Sequence, residues 1–144
     1  MSGQIRTELD GRVLKITVDN VAKKNAFVPE MMRDLALALT AFDRNDEQWV
    51  AVLTAAGEHT TAGLDMPKFF GPGATPVETP ADAIDPFALK RHTNKPVIAV
   101  VQGLTLTIRI EMSGTGSGMD IGSRPPANAT APLGRTVRAA DDSW

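Results

Sequence analysis

A chain of 144 residues with 42% hydrophobic side chains is long enough for one compact domain with its own core, and too short to predict two. Fifteen Lys+Arg against 17 Asp+Glu give a formal net charge of −2, which argues against nucleic acid or an anionic membrane as partner. With no cysteine, disulfides, thiolate metal sites and cysteine nucleophiles are excluded. Residues 1–6 carry no apolar targeting segment and no window has the apolar length of a membrane span, so a soluble cytoplasmic protein is expected.

Residues 5–9 and 13–18 are two runs rich in β-branched side chains, separated by Asp10-Gly11, and they predict a β-hairpin. After the loop Lys23-Lys24-Asn25-Ala26-Phe27, the stretch Val28-Pro29-Glu30 suits a first helical turn. Met31, Met32, Leu35, Leu39 and Phe42 then recur on one helical face until Asp43-Arg44-Asn45-Asp46 closes it, a stripe expected to be core. Residues 49–54 and 97–101 are continuous apolar runs of strand length, the pattern of a sheet covered on both faces. Between them, residues 70–86 read as a long loop before a short helix at residues 86–92. The order strand, strand, helix, strand predicts an α/β fold.

Residues 113–144 differ in character. Gly, Ala, Ser, Thr and Pro dominate, with too few large apolar side chains to form a core, so residues 1–112 are expected to be the folded unit and residues 113–144 a poorly ordered tail. The run Gly114-Thr115-Gly116-Ser117-Gly118 follows no predicted strand and reads as linker rather than a phosphate cradle. His59 and His92 have no acid or second His at ligand spacing, so no metal site is expected.

Two segments carry the chemistry. Thr60-Thr61-Ala62-Gly63-Leu64-Asp65-Met66 places Gly beside a small residue after an apolar strand, where the backbone turns sharply and leaves an N–H exposed. Lys95-Pro96-Val97-Ile98-Ala99-Val100-Val101-Gln102-Gly103 is a buried strand that breaks at glycine. In this order the pair resembles the enoyl-CoA hydratase/isomerase (crotonase) family, over about residues 5–112. The resemblance implies a crotonase-like ββα superhelix that binds acyl-CoA and stabilises a thioester enolate with two backbone N–H groups. It places the first donor on Leu64 and the second on Ile108, five residues after Gly103. Glu111 matches the first of two family glutamates that activate water, as general acid or base. Lys24, Ala26, Ala62, Gly63 and Asp65 match coenzyme A-binding positions, with Lys23 and Lys68 as phosphate partners or as solvated surface lysines. Coenzyme A enters as part of the substrate, no separate cofactor is implied, and the family assembles as trimers or hexamers.

The chain also departs from the family pattern. Thr60 stands where Phe is usual, a change expected to loosen packing under the loop. The turn Thr107-Ile108-Arg109 lacks the usual glycine, and Arg109 either points to solvent or disrupts the oxyanion hole. Residues 113–144 contain no Glu, so the second carboxylate of a hydratase is missing. Family domains are about twice as long, which implies truncation or an altered reading frame after Met112. The resulting expectation is an acyl-CoA-binding enzyme of impaired activity. The alternatives are a non-catalytic remnant that binds acyl-CoA or associates with relatives, and a product with no stable function.

Overall fold

The computed structural model describes residues 3–74, 76–86, 91–106 and 121–123. Within them a five-stranded sheet runs in the order β1 (Gln4–Asp10), β2 (Val13–Asp19), β3 (Val50–Ala55), β4 (Val97–Val101), β5 (Ile121–Ser123). β1 and β2 form the antiparallel hairpin expected from the sequence, while β2, β3, β4 and β5 pair in parallel. Asp10 already pairs with Val13, so the two-residue connection is Gly11-Arg12, and Gly11 supplies the positive φ of 58°. β5 lies inside the stretch expected to be tail. Three residues of low apolar content escape a pattern search, because their pairing comes from the edge of β4 rather than from their own periodicity.

A 16-residue helix, α1 (Pro29–Arg44), crosses from β2 to β3. Pro29 occupies its first turn, where the missing N–H costs nothing, and Glu30 faces the positive end of the helix dipole. Met31, Met32, Leu35, Leu39 and Phe42 are all buried, as the stripe predicts, against Leu14, Ile16 and Val18 of β2, Ala51 and Leu53 of β3, and Val97 of β4. Past the helix, Trp49 is 61% exposed and lies outside the strand, with the Arg12 guanidinium 4.5 Å from its ring. Burial alternates along β3, so among the described residues only one face of the sheet is fully covered. Both faces were expected to be, because Val50, Val52, Ile98 and Val100 are as apolar as their buried neighbours, and composition does not register which face a helix covers.

Residues 70–86, apart from the undescribed residue 75, contain neither helix nor strand after a short helix α2 (Met66–Phe70), and Ile84 drops from this loop into the core. The helix expected over residues 86–92 falls largely on residues outside the described set. No helix among the described residues is long and apolar enough to cross a membrane.

Candidate functional site

Three loops that emerge from β2, β3 and β4 are stitched together at the C-terminal ends of these parallel strands. The first, after β2, is a single 3-10 turn (Val21–Lys23) followed by Lys24 and Asn25, both in the left-handed region with φ of 50° and 56°. Asparagine tolerates that conformation because its short side chain bonds locally. Asn25, 1% exposed, does so in three directions. Its Oδ1 accepts the Asn20 N–H at 2.7 Å, and its Nδ2 donates to the carbonyls of Ala56 and His59, each at 2.7 Å. Asn20 in turn donates through Nδ2 to the Ala26 carbonyl at 2.7 Å.

The second loop, after β3, packs alongside. Ala62 N–H donates to the Lys24 carbonyl at 2.9 Å, Phe27 N–H to the Gly63 carbonyl at 2.8 Å, and Asp65 N–H to the Phe27 carbonyl at 2.8 Å. These bonds form a parallel bridge between Phe27 and Leu64. In such a bridge the flanking groups of Leu64 face Phe27 and its own N–H faces away. Among the described residues no acceptor stands on that N–H. Gly63, with φ of 95°, makes the turn that aims it. The Thr61 hydroxyl braces the turn by donating to the Asn25 carbonyl at 2.7 Å and accepting the Gly63 N–H at 3.0 Å.

The third loop, residues 102–106, is bound to the second. Thr60 N–H lies within bonding distance of the Gln102 and Leu104 carbonyls (2.8 and 3.0 Å), Thr61 N–H donates to Leu104 (3.1 Å) and Leu106 N–H to the Thr61 carbonyl (3.1 Å). The slack expected from Thr in place of Phe is not found at Thr60. The side chain is fully buried, and its hydroxyl donates to the Gln102 carbonyl at 2.8 Å while accepting the Gln102 N–H at 2.6 Å. A polar core residue that is bonded both ways replaces an apolar one without leaving an orphan group.

Lys24, Ala26, Ala62, Gly63, Leu64 and Asp65 are therefore brought together, and Lys68 follows one helical turn later, exposed on α2. Lys23, considered above as a phosphate partner, spends its ammonium on Asp65 at 2.6 Å. Ile108 and Glu111 lie outside the described residues. Beside the loops, a cavity of about 260 Å³ opens between α1 and residues 76–86, lined largely by apolar groups that include Met32, Ala36, Phe69, Val77 and Ile84. Among the described residues no cluster of three or more His, Cys, Asp or Glu is placed to hold a metal ion.

A family model described as enoyl-CoA hydratase/isomerase matches residues 8–112. The chain belongs to the enoyl-CoA hydratase/isomerase family. It is 29% identical over 105 residues to a hydroxycinnamoyl-CoA hydratase-lyase of Pseudomonas fluorescens, covering 69% of this chain and 38% of that protein. Over 111 residues it is 29% identical to enoyl-CoA delta isomerase 2 of Rattus norvegicus, covering 73% of this chain and 28% of the relative. Among solved structures, a probable enoyl-CoA hydratase/isomerase from Mycobacterium abscessus superposes with a TM-score of 0.72 at 32% identity, over 83% of this chain and 48% of that one. An enoyl-CoA hydratase from Mycobacterium tuberculosis H37Rv gives 0.65 at 26% identity, over 82% and 45%. The fold is thus the crotonase-like α/β fold, and the chain spans half or less of the length of these family members.

Several residues that hold these loops together were not singled out from the sequence. Asn25 carries the weakest disguise, being an Asn in a loop between strand and helix, the residue type most tolerant of positive φ after glycine. Thr61, His59 and Gln102 act through contacts made 36 to 45 residues away, and nothing local announces them.

Proposed function

We propose that this chain binds acyl-CoA thioesters and polarises the thioester carbonyl with the Leu64 N–H, joined by the N–H of Ile108 as the second oxyanion donor. The observation that carries the proposal is the Leu64 amide itself, left without an acceptor among the described residues while its neighbours on both sides are bonded to Phe27. A donor fixed in this way stabilises developing negative charge without reorganising at the moment of reaction. Glu111 is the acid/base of the proposal. Lys24, Ala26, Ala62, Gly63 and Asp65 form the coenzyme A side of the site, and Lys68 is a cation within reach of its phosphates. Of the lysines considered for that role, Lys24 and Lys68 are exposed and no ion pair holds them among the described residues. Assembly into trimers or hexamers belongs to the same proposal.

Turnover in this reading is weak. Thr107-Ile108-Arg109 contains no glycine to let the thioester approach, and residues 113–144 hold no Glu to act as the second carboxylate. The same absence favours a second reading, in which acyl-CoA is bound and not converted. Titration calorimetry with a short-chain acyl-CoA tests the site common to both. Binding is expected for the unmodified chain and should vanish in Gly63→Val, because a β-branched side chain does not adopt φ of 95° and the turn that aims Leu64 would be lost. Equal affinity in the two proteins, or no binding by the unmodified chain, refutes the assignment.

A further inference from the structure

His59 stands where the second and third loops meet. Its Nδ1 accepts the Leu104 N–H at 3.2 Å, and its carbonyl accepts Asn25 Nδ2 at 2.7 Å. The fit is close. A Cβ added at Gly103 would lie 2.7 Å from His59 Nδ1 and 2.2 Å from the Glu58 carbonyl, and Gly103 has φ of 54°, so only glycine lets the chain pass the imidazole here. The Leu104 peptide is held on both sides, since its carbonyl receives Thr60 and Thr61 while its N–H reaches His59.

We propose that His59 is a positioning residue for the loop that leads to Ile108, and that it works only as the neutral, Nε2-protonated imidazole. The inference rests on the functional reading above for its consequence, though not for its geometry. An accepting Nδ1 requires the proton on Nε2, and a second proton on Nδ1 places two donors face to face and turns the contact repulsive. Protonation of His59 therefore releases the Leu104 N–H and loosens the third loop at that point. Of the charged side chains on the packed segments, Glu58 precedes His59, and Lys23 and Lys24 lie on the loop whose Asn25 binds its carbonyl. Lys23 is turned to Asp65, and residues 102–106 contribute no charge.

The test is amide exchange at Leu104, expressed as a protection factor so that the intrinsic pH dependence cancels, measured through the imidazole titration range with and without a short-chain acyl-CoA. In the unmodified chain, protection should fall about three- to tenfold on the acid side, the equivalent of one net hydrogen bond. His59→Asn places an amide oxygen where Nδ1 stands, so it should retain protection and lose its pH dependence. His59→Ala should show the low value at every pH. The nitrogen shifts of His59 should also report an unprotonated Nδ1 at the alkaline end. A Leu104 protection factor that stays constant with pH in the unmodified chain, or His59→Asn behaving like His59→Ala, overturns the proposal. Acyl-CoA affinity should follow the same pH dependence in the unmodified chain and be flat in His59→Asn. A chain that shows the exchange behaviour and binds no acyl-CoA refutes the functional reading while leaving the role of His59 in place.

Discussion

Replacing Asn25 with alanine should be among the most damaging single changes outside the apolar core. The side chain makes three hydrogen bonds at 2.7 Å, to the Asn20 N–H and to the Ala56 and His59 carbonyls, and it sits 1% exposed. Each such bond contributes a net ~0.5–1.5 kcal/mol, more where the abandoned partner is left buried, as Asn20 is here. Alanine at φ of 56° adds a backbone penalty of about 1 kcal/mol that asparagine largely escapes. The loss should therefore total about 3–5 kcal/mol, a large share of the ~5–15 kcal/mol by which domains are stable. Urea denaturation should show a lower midpoint at unchanged slope, which separates a stability change from a change in the denatured state. Asn25→Gly serves as a control, since it loses the same three bonds but accepts the left-handed backbone, and should recover about 1 kcal/mol relative to alanine. A loss below about 1 kcal/mol in Asn25→Ala would refute the view that this residue ties the first loop to the second.

Leu35 is fully buried at the centre of the α1 stripe, and Leu35→Ala should cost about 2–5 kcal/mol in the same denaturation experiment. A smaller loss would mean that α1 does not seal the sheet. The Arg44 guanidinium donates a hydrogen bond to Asp82 and holds its carboxyl below the ordinary value of 3.8. Because the folded value is the lower one, this contribution is present above that ordinary value and is lost as pH falls through the folded one. The stability difference between the unmodified chain and Asp82→Asn should hold above the ordinary value of 3.8 and shrink as the pH falls below it, and a constant difference would contradict the pairing. Hydration of crotonyl-CoA, followed as loss of the conjugated thioester, should be very weak, at least about a hundredfold below what two well-placed donors and a carboxylate pair support. Glu111→Gln should abolish whatever remains and Arg109→Gly should raise it, whereas robust turnover by the unmodified chain would require a second carboxylate not identified in its sequence.

The hairpin, α1 and β4 were legible because each is specified locally. Two β-branched runs about Asp10-Gly11, a one-sided helical stripe and a continuous β-branched run are local signals, and the edges of β4 at Val97 and Val101 coincide with the apolar run. β5 was not legible, since a three-residue strand acquires its identity from the neighbour it pairs with. The covering of the sheet was misjudged for a related reason: Val50, Val52 and Ile98 look like core in sequence, and only the placement of α1 decides which face is sealed. At the site, glycine was the guide. Gly63 and Gly103 both mark positions where the backbone takes positive φ, and both flank the loops that meet. The Lys23–Asp65 pair was not legible, because a lysine near an expected phosphate site reads the same whether its ammonium is free or bound to a carboxylate 42 residues away.

What the loops share explains why the exposed Leu64 N–H, the first donor of the proposed site, is a tertiary property rather than a motif. Gly63 alone allows the turn, but the direction of the Leu64 N–H is fixed by Phe27 on one side of the bridge and by the Thr61 hydroxyl beneath it. Thr61 in turn is oriented by the Asn25 carbonyl, which depends on the left-handed backbone of Asn25 itself. The third loop joins through different atoms, the Thr60 hydroxyl, the Thr60 and Thr61 peptides and His59. The first and third loops are thus fastened to the second largely through different side chains, with Asn25 also reaching the His59 carbonyl. Damage at Asn25 strikes the Leu64 donor first and should weaken acyl-CoA binding as it weakens the fold. Damage at His59 leaves the bonds of the Leu64 peptide in place and acts on the third loop at Leu104, so its mark should be the loss of a pH dependence and not a collapse.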